Sequence, residues 1–74
     1  MIPKAKTVNK IIEQINELTT KLTEIKDEWE EKYNNASENW QESDNGQALE
    51  EAIGKLEDLV TNLEFADDAK VEEG

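Results

Sequence analysis

The sequence predicts an all-α protein, an antiparallel helical hairpin of two long helices and a short connector, dimerising into a four-helix bundle. Three observations predict it. Apolar residues recur at steps of three and four in two separate stretches, the spacing of one helix face. A polar segment rich in Asn and Ser divides the stretches, and the only proline is Pro3.

Residues 1–6 form an N-terminal arm. It carries charge and no continuous apolar block follows, so no secretory signal is expected. The first helix is placed at about 7–35. Val8, Ile15, Leu22 and Trp29 occupy one heptad position and Ile11, Leu18 and Ile25 the other, the two core positions of a helix with a partner. Thr7 is the candidate N-cap, with Lys10 where a capping box would have Glu. A connector is placed at 36–43. Its paired Asn34-Asn35 followed by Ser37 reads as a helix end and a fresh start, with a short helical or turn segment over 37–42. The rival reading runs one helix on to residue 42, because Ala36 and Trp40 continue the first stripe. The second helix is placed at about 44–66, on the stripe Leu49, Ala52, Ile53, Leu56, Leu59, Val60, Leu63 and Ala66. Ser43 or Asp44 caps its start. Residues 67–74 are an acidic tail expected to fray.

The stripes meet in one antiparallel register: Ile15 with Leu63, Leu18 with Val60, Leu22 with Leu56, Ile25 with Ile53 and Trp29 with Leu49. Charge agrees. Residues 1–26 hold five Lys against three Glu, whereas residues 27–74 hold three Lys against sixteen acids. The fold brings Lys4, Lys6 and Lys10 towards Glu64, Asp67 and Asp68. Ile12, Tyr33, Ile53 and Val60 broaden the apolar stripe beyond a two-position seam, a width that suits a bundle of three or four helices. A homodimer is therefore expected, with Ile12, Ile15, Leu18, Leu22, Ile25, Trp29, Leu49, Ile53, Leu56, Val60 and Leu63 as its core and dimer residues. A chain of 74 residues without a cysteine has little else with which to stabilise itself.

Composition narrows function. Eight basic residues, none of them Arg, stand against nineteen Asp and Glu, a net charge of −11. Direct binding to nucleic acid or to an anionic membrane is not expected. No apolar run approaches membrane-spanning length, and a cytoplasmic location is the default. Without Cys or His, the common zinc sites and catalytic triads are missing. Ser43-Asp44-Asn45-Gly46 faintly resembles a calcium loop. With Gly46 sixth, however, the first and twelfth places fall on Gln41 and Ala52, which lack the anchoring carboxylates. Adjacent acids such as Glu30-Glu31 diverge by about 100° on a helix and form no catalytic dyad. No enzyme activity and no cofactor or metal is expected. Asn35-Ala36-Ser37 fits a glycosylation pattern by chance.

The acids do have an order. They lie off the apolar stripes and repeat at sevens, about 10.5 Å apart along one face. A stiff rod bearing carboxylates in rows can occupy a protein groove that normally holds a nucleic acid backbone. The alternative is that acids merely keep a coiled coil soluble while its apolar stripe binds another helical protein. The candidate partner-binding residues are Glu28, Glu31, Trp40, Glu42, Asp44, Glu50, Glu51, Glu57 and Asp58. Trp40 has two readings, a lid over the hairpin end near Trp29 and Tyr33, or an anchor on a partner.

The stretch Tyr33-Asn34-Asn35-Ala36-Ser37-Glu38-Asn39-Trp40-Gln41-Glu42-Ser43, with Gly46-Gln47-Ala48-Leu49-Glu50-Glu51-Ala52-Ile53 and Leu56-Glu57, resembles a pattern in small acidic proteins of Gram-positive bacteria and their phages. Those relatives often carry Pro where this chain has Ser37. The resemblance covers roughly residues 27–66. It implies a helix, a short connector and an acidic second helix, but no particular activity. It points to an accessory protein of a phage or mobile element acting in the bacterial cytoplasm. The expected role is then that of an inhibitor or modulator docking on a basic site of a host protein, such as a nucleic-acid-handling defence enzyme.

Overall fold

The computed structural model describes residues 2–73, which are helical or irregular and contain no strand. Met1 of the arm and Gly74 of the tail lie outside the described residues.

Helix α1 spans Ala5–Asn35, about 46 Å at 1.5 Å per residue. It starts earlier than Thr7. Lys4 is the capping residue, in the left-handed region at φ 59°. Its carbonyl accepts the Val8 N–H, and the Ile2 carbonyl accepts that of Ala5, so the turn through Pro3 opens the helix without a side-chain cap. At the other end Ala36 turns extended, with ψ 157°. The Ser37 hydroxyl then accepts the Trp40 N–H at 3.2 Å and caps a new short helix, α2, Glu38–Glu42. This rules out the single helix running on to residue 42. Ser43 caps α3, Asp44–Glu64, by accepting the Gly46 N–H at 3.2 Å. A 3-10 turn, Phe65–Ala69, follows.

α1 and α3 pack against each other. The bonds between the two halves pair later residues of α1 with earlier residues of the C-terminal half. Asn9 meets Val71 and Glu73, Asn16 meets Asp67, and Tyr33 meets Glu50. The outline is a rod of 59 × 14 × 13 Å with a radius of gyration of 17.4 Å. A compact chain of this length would have a radius near 11 Å.

The interior differs from the expected one in its rotation. The buried apolar residues are Ala5, Ile12 and Val60, joined by the polar Asn9 and Thr19. Ala5, Ile12 and Thr19 stand seven apart, and the half-buried Lys26 and Tyr33 continue their line. Ile11, Leu18 and Ile25 each precede a residue of that line and so point about 100° away from it. They are 50%, 56% and 39% exposed. Leu18 and Ile25 are therefore exposed, not buried, within the single chain. Ile15, Leu22, Trp29, Leu49, Ile53, Leu56 and Leu63 are half-buried.

The polar residues inside have partners. Asn9 donates to the Val71 carbonyl at 2.7 Å and to the Glu73 carboxylate at 3.0 Å, and its own oxygen accepts the Val71 N–H at 2.9 Å. The Thr19 hydroxyl donates to the Ile15 carbonyl at 2.7 Å. Buried polar groups satisfied in this way carry little penalty.

The same Asn9 bonds correct the expectation of a frayed tail, because Val71 and Glu73 are tied to α1. Lys4 and Lys6 line one depression with the tail residue Glu73. Among the described residues the ion pairs are local: Lys26 with Asp27 and Glu30, Lys55 with Glu51, and Lys70 with Asp67. Asp67 also accepts from the Asn16 amide at 2.7 Å. Ion pairs between neighbouring residues need no long side chain to be ordered across two helices, which limits their entropy cost.

Candidate functional site

The region around the connector is built by side chains that close each helix end. Asn34 and Asn35 stop α1, and the carbonyls left over need donors. The Tyr33 carbonyl accepts both the Ala36 N–H at 3.2 Å and the Gln41 amide at 2.7 Å. The Ser43 hydroxyl donates to the Trp40 carbonyl at 2.5 Å while accepting from Gly46. The Gln47 amide donates to the Glu42 carbonyl at 3.0 Å. Gly46 is buried, and its α-carbon lies against the backbone of the preceding helix. A β-carbon there would stand 2.5 Å from the Gln41 carbonyl oxygen and closer still to that of Trp40. With the Ser37 cap, four helix ends are thereby fixed between Asn35 and Asp44.

Of the two candidate caps the structure uses Ser43, so Asp44 and Gln47 do not form the capping box that their spacing offers, and Gln47 reaches back to Glu42 instead; the roles of Gln41 and Gly46 were not foreseen. The glycine carried a signal: inside a helix it costs about 1 kcal/mol relative to Ala, which often marks a packing reason.

This frame carries the densest charge in the chain. Between residues 27 and 51 there are nine acids and one lysine, Lys32. Of the candidate residues, Glu28 and Glu31 are exposed near the end of α1, Glu42 is exposed at the end of α2, and Asp44 is exposed at the first position of α3. Glu50, Glu51, Glu57 and Asp58 are all exposed on α3. Glu50 and Glu57 share one line of that helix with Glu64, while Glu51 and Asp58 share the next. The candidates thus form two groups, one around the connector and one extending along α3.

Two of these acids are engaged. Glu51 pairs with Lys55 at 3.5 Å, and Glu50 accepts the Tyr33 hydroxyl at 3.2 Å. Desolvation raises the Tyr33 phenol above its usual 10.0, and the hydrogen bond to Glu50 and that residue's charge push it the same way. Trp40 is half-buried within α2. Its backbone is used by both serine caps and its side chain retains an exposed part.

Among the described residues no cluster of three or more acids is placed to hold a metal ion, and no helix is long and apolar enough to cross a membrane. A depression of about 320 Å³ lies at the N-terminal arm, lined by Ile2, Pro3, Lys4, Ala5, Lys6 and Glu73. Comparisons of the chain with protein-family models, with curated proteins and with solved structures find no match.

Proposed function

We propose that this chain is a non-enzymatic protein-binding module. In this reading α1 and α3 act as an antiparallel helical hairpin, and its acidic end docks on a basic site of a host protein and blocks it. The carrying observation is the set of nine acids and one lysine held around the connector.

Magnitude favours a target that normally holds a nucleic acid. Over the whole rod, 11 net charges spread along 59 Å, about one per 5 Å, against one per about 1.7 Å in duplex DNA. The connector end is denser. Its eight net charges occupy about 20 Å, or one per about 2.5 Å. Glu28, Glu31, Glu42, Asp44, Glu50 and Glu51 would surround the docked end, with Glu57 and Asp58 extending the two adjacent lines of α3 on which Glu50 and Glu51 stand. The exposed part of Trp40 would supply an apolar anchor among them. The resemblance to small acidic phage and bacterial proteins suits a nucleic-acid-handling defence enzyme as that target, in the bacterial cytoplasm.

The test is affinity capture from a bacterial lysate on the immobilised chain, beside a variant carrying E50K, E51K, E57K and D58K. The proposal expects a captured basic protein that is released by rising salt, is displaced by added duplex DNA, and is absent from the variant column. Capture that is insensitive to both salt and the four reversals would refute it. The second reading, association through the apolar stripe, is favoured by the exposure of Ile11, Leu18 and Ile25.

A further inference from the structure

We infer that the apolar side of α1 and α3 is covered by a second copy of this chain, so that the working form is a homodimer. The inference rests on the antiparallel arrangement proposed above, and not on the identity of any acidic-site partner.

The starting observation is the row Val8, Ile11, Leu18 and Ile25 on α1, 39–56% exposed, and Leu59 on α3, 45% exposed. Leu59 immediately precedes the buried Val60, just as Ile11 precedes the buried Ile12. In antiparallel right-handed helices, one step back along either chain turns the side chain to the same side of the pair. Leu59 and the α1 row therefore share one face. The hydrogen-bonded contacts of Asn9 and Asn16 lie on the opposite side by the same rule, since each follows the inner line of α1 by four residues.

Area sets what the face needs. The chain exposes 5817 Å², whereas a compact monomer of this mass exposes about 4,650 Å². The excess, about 1,150 Å² over the whole rod, leaves room for the about 800 Å² that each partner contributes to a standard interface.

Charge selects the occupant. In the row that runs Lys4, Ile11, Leu18, Ile25, Lys32 at intervals of seven, no acid occurs. Two chains of −11 can therefore meet on this side without opposing carboxylates, which they could do on few others. A basic partner is drawn instead to the acidic side. Pairing of the apolar sides leaves an acidic side outward on each copy.

Sedimentation equilibrium at 1–100 μM chain, in low and in 0.5 M NaCl, tests this on the whole chain. The expected mass is that of two 8.5 kDa chains, with association tighter at high salt because self-repulsion is screened. Binding of a basic partner should respond in the opposite sense, so failure of one reading is distinguishable from failure of the other. Leu18→Gln with Ile25→Gln should weaken the dimer by about 100-fold or more, since each change occurs twice in a symmetric pair. Both sites are exposed in the single chain, so helicity by circular dichroism should persist. Thr20→Gln, exposed on the same helix but off this row, should leave the dimer intact. If Leu18→Gln with Ile25→Gln lowers helicity, Leu59→Gln alone gives the same comparison from α3. A monomer throughout the concentration range, or a dimer indifferent to the Leu18, Ile25 and Leu59 changes, overturns the inference.

Discussion

Gly46 and Gly54 offer one substitution at two places with opposite expected signs. Both lie in α3, and Gly to Ala within a helix ordinarily stabilises by about 0.5–1 kcal/mol. At Gly54 a β-carbon meets nothing within 4 Å, so the full gain should appear. At Gly46 the same atom would fall within 2.7 Å of the carbonyl carbon of Gln41 and nearer to two carbonyl oxygens. These are backbone atoms, and no side-chain rotation relieves the clash.

The start of α3 must then move away from α2. Overpacking of that kind costs about 1–3 kcal/mol, and loss of the Ser43 cap adds about 1 kcal/mol. The net expectation is a destabilisation of about 2–3 kcal/mol for Gly46→Ala, which for a domain of this size lowers the melting temperature by roughly 10–20 °C. Gly54→Ala should raise it by a few degrees. Thermal melts followed by circular dichroism at 222 nm, at one fixed chain concentration, measure both. A Gly46→Ala protein melting level with or above Gly54→Ala would refute the close approach of α3 to α2.

The other predictions concern single contacts. Asn9→Ala removes the three bonds to Val71 and Glu73 and should destabilise by about 1–3 kcal/mol; it should raise the unfolding rate and leave the folding rate nearly unchanged in stopped-flow measurements. Gln41→Ala withdraws one of the two donors to the Tyr33 carbonyl, which keeps the Ala36 N–H, and should cost about 0.5–1 kcal/mol in urea unfolding; an unchanged midpoint would count against its capping role. Phenolate absorbance should show Tyr33 titrating above 10.0, and Glu50→Gln should bring it down towards that value. Because the folded phenol holds its proton more tightly than the unfolded one, this contribution is complete below pH 10 and is lost as pH rises through the folded value.

Local signals in this sequence were readable and long-range ones were not. Ser37 and Ser43 announce helix starts through their own hydroxyls, and the stripes announce helices through their spacing. The rotation of α1 has no such local cause. The rows of Ile11, Leu18 and Ile25 and of Ala5, Ile12 and Thr19 adjoin each other, and hydrophobicity favours the first. The second lies inward, beside Asn9, which finds a partner 62 residues away, and its Thr19 bonds to its own helix. The tied tail depends on that same remote partner, and no periodicity marks it or the 3-10 turn. The acids were legible as charge from composition alone. That nine of them crowd a braced junction follows from Gln41, Ser43 and Gly46, whose roles require the fold.

The bond from Asn9 to Val71 also bears on how the chain reaches its shape. The bond from Gln41 to Tyr33 closes a loop of 8 residues, whereas that from Asn9 closes one of 62. The longer closure costs about 1.8 kcal/mol more in chain entropy if made first. Closure cost therefore favours assembly that begins at the middle of the chain and zips towards its two ends, with the Asn9 latch fastening last.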